Sequence, residues 1–310
     1  MKVIITGGMG FVGSNLIKKL ANNGHEIVVL DNFSSNVQST IEGIRLIKVD
    51  LSDQRHFDDI NIESADVLIH LAGPSSGPAS AKDPKGTIDV SNTITFNVLR
   101  LSVKLSVKRI LFASSMGVYG DPLHLPVHEN SVCQPISYYA IAKLSSEHII
   151  QTFAKTSGLE YSILRFFNIY GPGQDLKRMD QGLVSIYLSM LMNGKPFVIK
   201  GRLDRIRDLI HIDDVVNSII AVIHSEAGLN RVINVCNGEA ITIERLAKTL
   251  ITHFDNYNWE DVIEEEGSPG DTHQIYGKNE RLVSDIGYEP QFNIEDGVKD
   301  FVAWAKANPS

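Results

Sequence analysis

The chain has 310 residues, 43% of them hydrophobic, and its 29 lysines and arginines are outnumbered by 37 aspartates and glutamates, for a formal net charge of −8. That is enough apolar material for one large core or for two domains sharing an interface. An acidic chain with no basic run longer than two or three residues argues against a nucleic-acid partner, because neutralising phosphates needs clustered cations.

Met1 to Thr6 is a short apolar run with a β-branched centre and predicts a buried strand. It runs into Gly7-Gly8-Met9-Gly10-Phe11-Val12-Gly13, which contains G-x-G-x-x-G at Gly8, Gly10 and Gly13 and G-x-x-G-x-x-G at Gly7, Gly10 and Gly13. Glycines at such spacing let a strand turn sharply, let backbone approach a pyrophosphate and let a helix pack hard on a sheet. Leu16, Ile17 and Leu20 then recur at helical spacing up to Gly24, so the start of a helix, with unpaired N–H groups and a positive dipole end, faces those phosphates. Glu26 to Leu30 predicts a second strand, and Asp31 stands at its end, 18 positions beyond Gly13. A carboxylate there accepts from a ribose 2′-OH and repels a 2′-phosphate, which selects NAD over NADP; the bland reading is a turn-forming Asp before Asn32.

Strand and helix keep alternating. Short strands are expected at 45–49, 67–71, 109–113 and 161–167, and long helices at 87–106 and 139–155. This order predicts an α/β fold with a doubly wound parallel sheet, whose ligand lies beyond the carboxyl ends of the strands. Asp31, Asp50, Ala72-Gly73, Ser114-Ser115 and Asn168 all fall at those ends. Beyond Gly171-Pro172-Gly173 the segments shorten and gain charge, so residues 1–172 read as a dinucleotide-binding domain and 173–310 as a smaller substrate-binding lobe. Segments near 211–236, a helix at 215–224 and a strand at 232–235, look like core returning to the first domain. Glu264-Glu265-Glu266 reads as a solvated loop.

Several function classes fall away on the same pass. Cys133 and Cys236 form no metal pattern and suit a reducing compartment. His124 and His128 are four apart, but Pro126 between them breaks the helix that would align them, so no metal site is expected. No apolar stretch approaches 18 residues and Met1 leads straight into the first strand, so a cytoplasmic protein without membrane span or signal peptide is expected.

Tyr139 and Lys143, four residues apart near the start of a predicted helix, share a face. Alone this is an amphipathic pair; after a glycine-rich NAD turn and a strand ending in Ser115 it reads as acid–base machinery. A phenol titrates near pH 10, and a nearby ammonium with a positive nicotinamide would favour the phenolate. Such a base takes the proton from an alcohol as hydride leaves the same carbon. Ser115 would hold the alcohol oxygen, or merely cap the strand end.

With TGGMGFVGS, VDLSD, HLAG, SSMGVYG, YYAIAK, RFFNIYGPG, RDLIHIDD and IGYEP along it, nearly the whole chain resembles the extended short-chain dehydrogenases/reductases. Within them it looks like the NAD-dependent nucleotide-sugar epimerase/dehydratase family, UDP-glucose/galactose 4-epimerases included. The resemblance implies a Rossmann domain in which Gly7, Gly10, Phe11, Val12, Gly13, Asp31 and Asn32 hold NAD and Asp50 and Leu51 meet its adenine. It implies that Leu71, Ala72 and Gly73 line the cofactor, that Lys143 also holds the nicotinamide ribose beside Tyr139, and that Phe166 lies near the nicotinamide. For a nucleotide-sugar substrate it implies Ser115, Tyr139 and Lys143 as catalytic residues, Asn168 and Arg207 on the diphosphate and Leu183 near the base. Ile275 would bound the substituent at C2 or else belong to the core of the lobe, and Arg207 could equally form a surface ion pair. Three departures stand out. Met116 and Gly117 replace the acidic pair of dehydratases, Ser268 replaces a second phosphate-binding arginine, leaving Arg202 or Arg205 to assist, and Ser91 replaces an asparagine.

The expected activity is therefore 4-epimerisation of a UDP-hexose through a transient 4-keto sugar. A 4-keto nucleotide-sugar reductase is the runner-up, disfavoured by Asp31, and a non-catalytic NAD sensor would need none of Ser115, Tyr139 and Lys143. The resemblance also implies a homodimer joined through the two long helices, with Leu101, Leu105 and Ile149 as candidate contacts.

Overall fold

Hydrophobic alternation along the strands organises the molecule. In the computed structural model, which describes residues 1–34, 43–57, 60–267 and 272–308, the first part of the chain runs β1 (Lys2–Thr6), α1 (Phe11–Asn22), β2 (Glu26–Asp31), β3 (Arg45–Lys48) and β4 (Val67–His70). It continues through α2 (Gly77–Lys82), α3 (Pro84–Lys104), β5 (Arg109–Ser115), α4 (Tyr138–Ser157) and β6 (Glu160–Phe166). These strands pair parallel with one another and with Arg231–Val235 in a seven-stranded sheet. From one edge the strand starting at Arg231 comes first, followed by β6, β5, β4, β1, β2 and β3. The order reverses between β1 and β4, which opens a crevice beyond their carboxyl ends.

Successive residues of a strand point to opposite faces. Val3 and Ile5 join a core with Leu16, Ile17 and Leu20 of α1, while Ile4 joins Val98 and Leu101 of α3 and Ile150 of α4 on the other face. Both covering layers are therefore fixed by β1 itself. Leu101 and Leu105 are 2% and 1% exposed within that second layer, so the sheet has already taken two of the three side chains offered above as dimer contacts, while Ile149 is partly buried against the same layer. The large apolar side chains that α3 and α4 leave exposed are Val90, Phe96, Val103, Tyr138 and Ile141.

The helix of 87–106 begins three residues earlier, at Pro84, because the Asp83 side chain accepts from Gly86 N at 2.9 Å and caps it. Ser137 caps α4 in the same way, and Gly158, at φ +74°, ends it.

The later part of the chain contributes β7 (Asn168–Tyr170), α5 (Leu183–Met192), β8 (Val198–Lys200), β9 (Ile206–Arg207), β10 (Leu209–His211) and α6 (Ile212–His224). After these come β11 (Arg231–Val235), β12 (Ile241–Thr242), α7 (Ile243–Ile251), β13 (Ile263–Glu265), β14 (Gln274–Ile275) and α8 (Ile294–Ala307). Helix α6 lies against α1, and a separate core gathers Leu188, Ile199, Leu246, Leu250, Val298 and Phe301. The acidic run departs from its expected loop: Ile263 to Glu265 pairs parallel with Val198 to Lys200 as a short exposed strand.

Candidate active site

A cleft of about 690 Å³ opens at the crevice between β1 and β4. Its floor is the glycine turn. Gly7 has φ +69°, and a Cβ on it would lie 2.7 Å from Ala72 N; one on Gly13 would lie 2.5 Å from Gly8 Cα. No larger residue fits either position without moving backbone. Gly10 caps α1 without any side-chain bond, so the first-turn N–H groups of Phe11 and Val12 remain available to an anion in the cleft.

Asp31 ties this turn together. It is 6% exposed, and its carboxylate accepts from Met9 N at 2.9 Å and Phe33 N at 2.7 Å. Both readings of this residue thus coexist: it shapes a turn, and its oxygens, each with a further lone pair, face the cleft beside Asn32. Asp50 and Leu51 line the same end, Leu71, Ala72 and Gly73 the middle, and Phe166 the far end with Ser115, Tyr139 and Lys143. A glycine cradle that a Cβ would fill, an uncapped helix start and a carboxylate at the next strand end suit the pyrophosphate and adenosine ribose of NAD.

Tyr139 is the second residue of α4, and its N–H donates to Ser80 Oγ at 3.1 Å. One turn on, Lys143 is 8% exposed. Its Nζ donates to Ala113 O at 2.8 Å and lies 4.9 Å from the centroid of the Phe112 ring and 5.8 Å from that of Tyr139. Burial lowers this ammonium to about 8, against the pull of the Glu147 carboxylate. The Tyr139 phenol departs from the sequence expectation. Burial raises it, and only the neighbouring Ser115 hydroxyl works the other way. Ser115 Oγ also accepts from Gly117 N at 3.2 Å, so its capping and substrate-facing roles share one hydroxyl. Burial, with the charge of Lys143, drops His70 to about 3 and keeps it neutral.

Behind these residues lies a network that motif reading missed. Glu147 accepts from Ser114 Oγ, from Arg165 Nε at 3.0 Å and from Arg165 Nη2 at 2.7 Å. The signal was present: Glu147 follows Lys143 by one helical turn and so shares its face.

The substrate residues divide. Asn168 and Leu183 line the cleft, with Asn168 Nδ2 donating to Asp208 O at 2.8 Å. Arg207 does not line it; it is 5% exposed and donates to the carbonyls of Ile206, Thr272 and His273. The structure thus gives it backbone carbonyl partners among the described residues. Arg202 is exposed and forks onto Asp204, and Arg205 donates to Lys200 O and Arg202 O, so neither reaches the cleft. Ile275 is fully buried among Val118, Tyr119, Val127, Phe167 and Cys236, which makes it core and removes its side chain from any contact at C2. Ser268 lies outside the described residues. Gln174, Arg178 and Gln181 line the cleft from a loop with no periodic pattern to announce them.

A family model described as "NAD dependent epimerase/dehydratase family" matches residues 3–236. A putative UDP-glucose 4-epimerase of Methanocaldococcus jannaschii is 30% identical over 308 residues, 99% of each chain. UDP-glucuronic acid decarboxylase 1 of Danio rerio is 28% identical over 98% of this chain and 72% of its own. Among solved structures, UDP-glucose 4-epimerase with UDP-glucose from Thermotoga maritima superposes with a TM-score of 0.93 over the whole of both chains at 29% identity.

Proposed function

The chain belongs to the NAD dependent epimerase/dehydratase family, and on that premise we propose that it epimerises a nucleotide sugar at C4, a UDP-hexose, through a transient 4-keto intermediate. NAD is its cofactor and when bound supplies the acceptor, and then the donor, of one hydride. The observation that carries the reading is the convergence of Ser115, Tyr139 and Lys143 at one end of the cleft, with Met116 and Gly117 following Ser115. Without an acidic pair after Ser115, elimination of water has no base at that point.

Tyr139 takes the C4 hydroxyl proton and later returns it. Ser115, beside Tyr139 at the same end of the cleft, holds the same oxygen in line. Lys143 supplies the positive charge that favours the phenolate, and its bond to Ala113 O fixes where that charge sits. Because burial alone raises the phenol, the site favours the proton-taking form when the cofactor's own positive charge joins that of Lys143. Asn168 and Leu183 border the substrate end, and Asp31 favours NAD over NADP, which weighs against a 4-keto reductase.

Residues 1–172 with 211–236 then hold the cofactor, and the remainder of 173–310 forms the substrate lobe. Exposed Phe96, Val103 and Ile141 support a homodimer through α3 and α4, and two free thiols suit the cytoplasm. Incubating the purified protein with UDP-glucose or UDP-galactose and following the sugar protons by NMR tests the activity. Conversion of each into the other is expected, whereas a 4-keto-6-deoxy or decarboxylated product would refute it.

A further inference from the structure

Tyr139 stands in the first turn of α4, where backbone N–H groups have no partner within the helix. Ser137 serves that turn from the chain itself, its Oγ accepting from Ala140 N at 3.2 Å. The N–H of Tyr139 is paired from another element, by Ser80 Oγ of α2 at 3.1 Å. Ser80 is 2% exposed, and its hydroxyl proton is engaged with Gly77 O at 2.6 Å, so toward Tyr139 this oxygen can only accept. We infer that Ser80 is a positioning residue for the catalytic base, holding the backbone of Tyr139 where the phenol meets the C4 hydroxyl, a reading that rests on the epimerase function proposed above.

The short helix that carries Ser80 is itself held at both ends. At its start Ser76 caps it, accepting from Ala79 N at 3.1 Å, and donates to Asp180 Oδ2 at 3.1 Å. The preceding residue, Ser75, donates to Gln181 Oε1 at 3.1 Å, and both of these line the cleft. At its other end Asp83 follows Lys82 directly and caps α3 through Gly86 N. Helix α3 is bonded in turn to α4, Thr95 Oγ1 to Ser146 Oγ at 2.9 Å inside the buried layer. Helix α2 is therefore a wedge between α3 and the first turn of α4, and Ser80 passes its position on to Tyr139. Lys143 anchors the same helix to β5 through Ala113 O, so the start of α4 is located from two directions. Ser80 does not line the cleft, and its effect on the reaction passes through Tyr139. A misplacement of about 1 Å can cost about a hundredfold in rate, so a bond modest in stability can be large in turnover.

The test compares wild type with Ser80→Ala in the cofactor-loaded protein, following the interconversion of UDP-glucose and UDP-galactose. The value of kcat should fall about tenfold or more, with KM for the nucleotide sugar and affinity for NAD staying within about twofold of wild type. Ser80→Cys nearly keeps the volume but offers a sulfur that accepts weakly, and its kcat should fall as well. A thermal scan accompanies both variants, and should Ser80→Ala not fold, Ser80→Cys decides by the same kcat and KM readout. Unchanged kcat in Ser80→Ala overturns the inference and leaves an ordinary bond between two helices. A parallel loss of kcat, NAD affinity and melting temperature means a general loosening of the fold, and wild-type kcat in Ser80→Cys means that only filled space counts; either overturns it too. If wild type interconverts neither sugar, the epimerase reading fails, and the role of Ser80 fails with it.

Discussion

Tyr139 and Lys143 do opposite things under burial. The phenol is raised and the ammonium is lowered to about 8, so at neutral pH the isolated site holds a neutral phenol beside a cation. Tyr139→Phe removes the proton acceptor without emptying its space. Turnover is expected to fall about a hundredfold or more, the usual scale for an acid–base group, with NAD affinity retained; turnover near wild type would remove Tyr139 from the mechanism. The charge on Lys143 has a pH signature. Its folded value lies below the ordinary lysine range, so the cation is lost as pH rises through about 8, and kcat/KM should decline on that limb. Glu147 holds the ammonium up, so Glu147→Gln should move the limb to lower pH, while a purely structural Glu147 would lower the rate at every pH alike. The pH–rate profiles of the two proteins decide it. Arg178, Arg207 and Ile275 teach the complementary lesson. Tyr139, Lys143 and Asp31 were legible because strand ends and one helical turn fix where they point. The surroundings of Arg207 and Ile275 come from Thr272, His273 and Cys236, distant in sequence, and no local pattern encodes them.

Among the elements, the turn from β1 into α1 carries the most constraint. A methyl on Gly13 would meet Gly8 Cα at 2.5 Å, Gly7 O at 2.7 Å and Gly8 O at 2.7 Å, all backbone. Gly13→Ala must therefore push α1 away from the turn that faces the cofactor. A loss of NAD affinity of tenfold or more is expected, with a lowered melting temperature; fluorescence titration with NADH and a thermal scan check both. The alternating pattern of strands and helices was readable because each strand end carries its own turn chemistry. Boundaries were less so. Helix α3 starts early because Asp83 and Pro84 form a cap and first turn, a signal weaker than the apolar spacing that begins at Thr87. Strand β13 was hidden because Ile263 followed by glutamates carries no hydrophobic period, and only pairing with β8 makes Ile263 to Glu265 a strand.

At the scale of the molecule, the sheet buries the inner faces of α3 and α4 and leaves Phe96 at 49%, Val103 at 52% and Ile141 at 39% exposure on their outer side. A second copy bringing the same stripe would cover both as a four-helix bundle. Light scattering should give the dimer mass, and Phe96→Glu with Val103→Glu should give the monomer with an unchanged fold by circular dichroism. Monomer mass for wild type across micromolar concentrations would refute the interface. In the proposed reaction hydride leaves C4 and returns to C4 within one cleft. Turnover of UDP-glucose carrying deuterium at C4 tests it most directly. The expected result is UDP-galactose with the deuterium kept at C4; product that has exchanged the label for a solvent proton would contradict it.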